Sequence, residues 1–199
     1  MANRPRLTTG ILVWAFQFWW RYFGQISFWM LFAALGRAIQ MRIFGPISPT
    51  FSIVLEIVVE LARVLTLLLI IGQGNLGNGF WKMVGIFRYT REKWRQLGRT
   101  FRSTLRQYWP VLLWNLLVFS LIAYGMNRLN GFVANQTALL GYLKLAGWVH
   151  ESASEMPVVF FLKNLTVIPF TLVFEYGLFR WLSGTLTPGS VEVRPEAKY

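Results

Sequence analysis

The run from Phe51 to Ile71 constrains this chain more than any other segment does. It is apolar at most positions, and its length is close to the roughly 20 residues that a helix needs to cross a hydrocarbon core of about 30 Å. The rest of the chain has a similar composition: 55% of all residues are hydrophobic and 14% are charged, whereas about 25% are charged in a typical soluble protein. We therefore expect an all-α integral membrane helix bundle with about four transmembrane helices and additional interfacial amphipathic helices.

Turn signals divide this single membrane domain, residues 1–199, into candidate spans. Proline lacks a backbone donor and restricts the residue before it, so Pro46 and Pro49 predict a turn that joins two antiparallel helices. Pro169 predicts a kink in the last span. The four candidate spans are 26–44, 51–71, 109–126 and 156–182.

Four other segments have the composition of interfacial or connecting structure. Residues 11–23 predict an interfacial helix, because tryptophan and tyrosine concentrate at headgroup level and Arg21 interrupts the apolar run. Residues 80–108 predict one long basic amphipathic helix. The glycine-rich stretch 72–79 predicts a flexible polar linker, and 183–199 an extended, exposed tail.

The distribution of lysine and arginine predicts the orientation in the membrane. The connection 73–107 contains eight basic residues against the single acid Glu92, so we expect it on the cytoplasmic, matrix or stromal side. Four spans then place the N- and C-termini on that same side. The membrane would be a bacterial inner membrane or an organelle inner or thylakoid-type membrane.

Six arginines recur at helical spacing within the basic segment, and we call them the arginine stripe. On one helix they would share an arc of about 80°, with Trp94 and Phe101 on a neighbouring arc. This pattern predicts binding to anionic phospholipids or to acidic partner subunits, whereas a merely solvated face is the plainer alternative. Nucleic acid is disfavoured because no recognition module accompanies the stripe. The stripe comprises Arg88, Arg91, Arg95, Arg99, Arg102 and Arg106.

A second charged group lies within the candidate spans. Glu56, Glu60 and Arg63 are spaced i, i+4 and i+7, which places them within about 60° of one another on a helix. An antiparallel hairpin would bring Arg37 level with about Val58 and within reach of both glutamates. We predict a buried intramembrane cluster, serving either as a polar seam between helices or as a proton or cation site.

The sequence contains no feature that requires catalysis. Cysteine is absent and histidine occurs once, and no nucleophile–base pair or carboxylate dyad can be assembled. We therefore expect no enzyme activity, no metal and no cofactor. The favoured hypothesis is an accessory or scaffold subunit that binds other integral membrane subunits. The alternative is a transport component, either a permease subunit or an oligomeric channel.

Overall fold

The computed structural model describes residues 9–136 and 138–186, and all regular structure within them is α-helical, as the sequence predicts. Residues 1–8 and most of the predicted tail, 187–199, lie outside the described residues. The helices are α1 Gly10–Arg21, α2 Phe23–Gln40, α3 Pro49–Ile71, α4 Leu76–Phe87, α5 Arg91–Gln136, α6 Leu139–Leu145, α7 Met156–Leu165 and α8 Val167–Leu182.

Two helical stretches of the described residues are long and apolar enough to cross a membrane, namely Arg91–Asn135 and Met156–Leu182. They contain the third and fourth predicted spans, 109–126 and 156–182. α2 and α3 contain most of the other two, but α3 has three charged side chains near its middle. Length and composition thus support membrane association, whereas a bundle of four spans goes beyond this finding.

The end of α2 lies before the predicted boundary. The sequence predicted a span over 26–44, but the helix ends at Gln40, so the C-terminal boundary is wrong. Arg42 adopts a left-handed conformation with φ of 64°, and the Ile43 N–H donates to the Ala38 carbonyl at 3.1 Å. This bond is the Schellman pattern that terminates a helix, here formed without glycine.

The predicted turn and antiparallel hairpin are present. Ser48 caps α3, because its hydroxyl accepts a hydrogen bond from the Phe51 N–H at 3.2 Å, and Pro49 occupies the first turn. Gly36 of α2 lies directly against α3, since a Cβ there would be 2.7 Å from Val59 Cγ2. This close approach brings the polar faces of α2 and α3 together.

Residues 72–75 form a tight turn and residues 76–79 begin the next helix, so the predicted flexible linker over 72–79 is wrong. α4 begins at Leu76, and Asn75 caps it by accepting a hydrogen bond from the Asn78 N–H at 2.9 Å. Gly79 packs on the end of α3, where a Cβ would overlap the Leu68 carbonyl oxygen. Glycine is required here for close backbone approach.

The single helix predicted over 80–108 is also wrong. α4 ends at Phe87, and α5 begins at Arg91 after a short break. The Thr90 hydroxyl accepts a bond of 3.4 Å from the Lys93 N–H, and Glu92 lies in the first turn, where an acidic side chain favours a helix start. The spacing of the arginines does not reveal this cap.

Both helix-interior prolines distort the chain before the proline itself. Tyr108 is non-helical, with φ of −121°, two residues before Pro110, although the helix continues to Gln136. The kink predicted at Pro169 lies at Thr166, which separates α7 from α8. A proline ring clashes with the carbonyl four residues earlier, so the bend falls in the preceding turn.

The core combines aliphatic residues with buried aromatic rings, and glycines allow close helix contact. α1 packs on α8, where Trp14 lies so close to Gly177 that a Cβ there would be 2.7 Å from the indole ring. Phe174 is buried and stacks on Phe119 of α5 with ring centroids 4.1 Å apart. The segment predicted as 11–23 is helical from Gly10 to Arg21, with one face in this core.

Candidate functional site

The structure brings together the four residues predicted to form the charged cluster of the α2–α3 hairpin. The Arg37 guanidinium binds Glu56 through two bonds, with Nη1 2.6 Å from Oε2 and Nη2 2.8 Å from Oε1. Nη2 also lies 3.6 Å from Glu60 Oε1. On the same carboxylate, Arg63 Nη1 lies 2.6 Å from Glu60 Oε1. A bidentate arginine–carboxylate pair fixes orientation as well as charge.

Gln40 belongs to this network, although the sequence analysis did not identify it. Its Oε1 accepts a bond of 2.9 Å from Arg37, and its Nε2 donates to Glu56 Oε2 at 2.9 Å. The same Nε2 lies 2.9 Å from the Ser52 carbonyl oxygen. Gln40 follows Arg37 by three residues on α2, so helical spacing could have indicated it.

Asn164 extends the network to a third helix and was likewise missed as a cluster residue. Its Oδ1 accepts a bond of 3.3 Å from Arg63, and its Nδ2 donates to the Phe160 carbonyl at 2.8 Å. Asn164 is fully buried on α7. Because 101 residues separate Asn164 from Arg63, only the tertiary fold reveals the contact.

The predicted burial of the cluster is wrong for the two carboxylates. The side chains of Glu56 and Glu60 are 46% and 51% exposed, whereas those of Arg37 and Arg63 are 20% and 26% exposed. The glutamates lie at the edge of the α3 face that packs on α2, so their outer sides are uncovered by any described residue. Large apolar side chains surround them on the outer face of α3: Ile53, Ile57, Leu61 and Val64 are all exposed.

The cluster contains two carboxylates and two guanidinium groups, so it carries no net charge. Each carboxylate has a guanidinium partner within the chain. Such a set can lock helices together and can offer its remaining lone pairs to a donor from outside. The four groups leave no unmatched charge to attract an ion.

The arginine stripe is divided between two segments by the helix break. Arg88 follows the end of α4, whereas the other five arginines lie on α5, and all six are exposed. Trp94 is 47% exposed. Phe101, predicted to share the exposed edge, is instead partly buried against Phe179 of α8, with ring centroids 5.6 Å apart.

The described residues contain no group of three or more histidine, aspartate and glutamate side chains placed to hold a metal ion.

No protein-family model, curated protein or solved structure matches this chain. Functional inference therefore rests on the geometry of the charged cluster and of the arginine stripe.

Proposed function

We propose that this protein is a non-catalytic accessory or scaffold subunit of a larger membrane protein complex. In this proposal four spans cross the membrane: α2, α3, the middle of α5, and α7 with α8. The outer face of the α2–α3 hairpin docks against another integral membrane subunit. The arginine stripe contacts anionic lipid or acidic subunits on the cytoplasmic, matrix or stromal side.

The exposure of Glu56 and Glu60 carries the proposal. A charged group at bilayer depth costs at least a few kcal/mol when lipid surrounds it, so such groups face protein or water. The described part of this chain pairs both carboxylates but leaves their outer sides uncovered. A neighbouring helix that donates hydrogen bonds would cover them, and the adjacent Ile57 and Leu61 would supply apolar contact.

The neutrality of the cluster favours a structural role over transport. A transport site needs a carboxylate that can gain and lose a proton or cation, whereas here each carboxylate is held by a guanidinium group. The half-exposed Glu60 nevertheless supports a second candidate, an oligomeric transport component with this face lining the path. The two candidates predict different assemblies, and they predict different effects of replacing Glu60 with a neutral residue.

The first test is purification of the full chain from its native membrane in a mild detergent, with native mass measurement and identification of co-purifying proteins. We expect a stoichiometric complex with other integral membrane subunits. The variant Glu60→Gln should weaken that complex. Glu151→Gln, which removes an exposed carboxylate outside the helices, is the matched control and should leave it intact.

Recovery of wild type as a lone monomer would contradict the accessory-subunit proposal. A homo-oligomer without other subunits would favour transport. In that case ion flux into proteoliposomes should be abolished by Glu60→Gln while the oligomer remains intact.

A further inference from the structure

The first part of α5 has two chemically different faces. We call this segment, residues 91–107, the basic arm. One face packs on the end of α8 through the Phe101–Phe179 contact, and the adjoining Tyr108 contacts Trp181 with ring centroids 6.1 Å apart. These contacts fix the rotation of the helix. The other face holds five exposed arginines within an arc of about 80°: Arg91, Arg95, Arg99, Arg102 and Arg106.

Two exposed apolar side chains lie beside the arginines. By helical spacing, Trp94 and Leu105 fall between the packed face and the arginine face, and they are 47% and 46% exposed. An apolar edge next to guanidinium groups suits the boundary between acyl chains and headgroups, where tryptophan is enriched. Phe101 is already occupied by its contact with α8, which leaves few apolar side chains for insertion, so attachment to a membrane relies mainly on charge.

The position of the arm relative to the candidate span favours lipid as its partner. Trp109 is 55% exposed at the entry to the apolar part of α5. Arg106 and Arg102 precede it by three and seven residues, or about 5 and 10 Å along the helix. The headgroup region adds roughly 5–8 Å on each side of the hydrocarbon core. Arg106 therefore lies at phosphate level, and Arg102 comes within the headgroup region when the arm tilts toward the membrane surface.

The charge of the arm is unneutralised within the described part of the chain. Two of the three ion pairs found there join α2 to α3 and the third lies within α3, so none involves the arm. Lys93 adds a further cation, and Glu92 is the one acid between Arg91 and Gln107. Guanidinium groups bind phosphate oxygens in bidentate fashion, which makes a row of five complementary to an anionic headgroup layer.

We propose that the basic arm is a binding surface for the phosphate headgroups of anionic phospholipids, held by salt-sensitive electrostatic contacts rather than by deep insertion. The inference rests on the membrane placement in the proposed function, and it selects lipid over an acidic subunit as the occupant of the arginine stripe.

The opposite end of the bundle supplies a charge-matched control. The Ile43 carbonyl accepts a hydrogen bond from the His150 N–H at 2.9 Å, and Ile43 packs with Ala134 in a second apolar cluster. The α2–α3 turn, the end of α5 and the α6–α7 connection thus meet away from the basic arm. Arg42, Arg128 and Lys144 lie at that end.

The test uses the full chain in a mild detergent with phosphatidylglycerol or phosphatidylcholine added, and native mass spectrometry reads the lipid retained. The variant R99Q/R102Q/R106Q should lose affinity for phosphatidylglycerol by at least tenfold, since each surface cation contributes up to about fivefold. R42Q/R128Q/K144Q removes the same charge at the opposite end of the bundle. Because salt screens charges separated by more than about 10 Å, this variant should change the affinity for phosphatidylglycerol by less than about twofold. Raising the salt concentration should weaken lipid binding by wild type more than binding by the arm variant, which retains Arg91 and Arg95.

Equal loss in both triple variants would overturn the proposal, because the effect would then follow net charge rather than the arm. Equal retention of the two lipids by wild type would also overturn it. If wild type bound a polyglutamate peptide and showed no preference for phosphatidylglycerol over phosphatidylcholine, the arm would be assigned to an acidic protein instead. The proposal is supported if wild type prefers phosphatidylglycerol and only the arm variant loses that preference. This result would stand even if purification from the native membrane showed no complex, an outcome that would refute the accessory function alone.

Discussion

The contact between α3 and α4 predicts opposite effects for the same substitution at two glycines of one helix. At Gly85 an added Cβ meets nothing within 4 Å, so Gly85→Ala should gain about 1 kcal/mol from helix propensity alone. At Gly79 a Cβ would overlap the Leu68 carbonyl oxygen and lie 2.7 Å from its carbon. A backbone carbonyl cannot rotate away, so α4 must shift, at a cost of about 2–3 kcal/mol or more.

After the propensity gain of about 1 kcal/mol, Gly79→Ala should lose roughly 1–2 kcal/mol net. For a chain of this size, 1 kcal/mol corresponds to about 2–4 °C in Tm. Thermal unfolding in detergent, followed by tryptophan fluorescence, should therefore show Gly85→Ala about 2–4 °C above wild type and Gly79→Ala about 2–8 °C below it. Equal stabilisation by the two substitutions would refute the tight α3–α4 turn and would support a flexible linker at this position instead.

Three further predictions concern the turn and the charged cluster. Gln73 has φ of 53°, so Gln73→Gly should raise the stability by up to about 1 kcal/mol, as measured by Tm; an unchanged or lower Tm would argue against the left-handed turn. Asn164→Leu should lower the stability by about 1–3 kcal/mol in the same assay, because it leaves a partly buried guanidinium nitrogen unpaired; a neutral effect would contradict the link to α7. Double-mutant cycles should give a larger coupling energy for Arg37 with Glu56, which form two short bonds, than for Arg37 with Glu60 at 3.6 Å. The reverse order would contradict the observed pairing.

Periodicity predicts those features that depend on one helix and its immediate neighbour. The helical spacing of Glu56, Glu60 and Arg63, together with the proline turn, was sufficient to place Arg37 against the two glutamates. Their exposure could not be predicted in this way. It depends on which face of α3 the other helices cover, and Asn164, the link to that third helix, is distant in sequence.

The errors in helix boundaries have local physical causes that average composition does not reveal. The arginine spacing runs unbroken through the break between α4 and α5, but Thr90 acts as an N-cap there. Arg42 ends α2 in a left-handed conformation that sequence rules assign to glycine. Glycines at positions 72 and 79 resemble a flexible linker in sequence, whereas in the fold they permit close backbone packing.

The distribution of charge between α2 and α3 has a consequence for biosynthesis. Arg37 contributes a positive charge to α2, whereas α3 carries two glutamates and one arginine, so each helix alone has an unmatched charge and the pair has none. At roughly 3 kcal/mol for a charged residue at the centre of a span, α3, with Glu60 at its midpoint, would not partition readily by itself. If both cross the membrane as proposed, the nascent chain should leave the translocon as a preformed helical hairpin, with Arg37 already bound to Glu56.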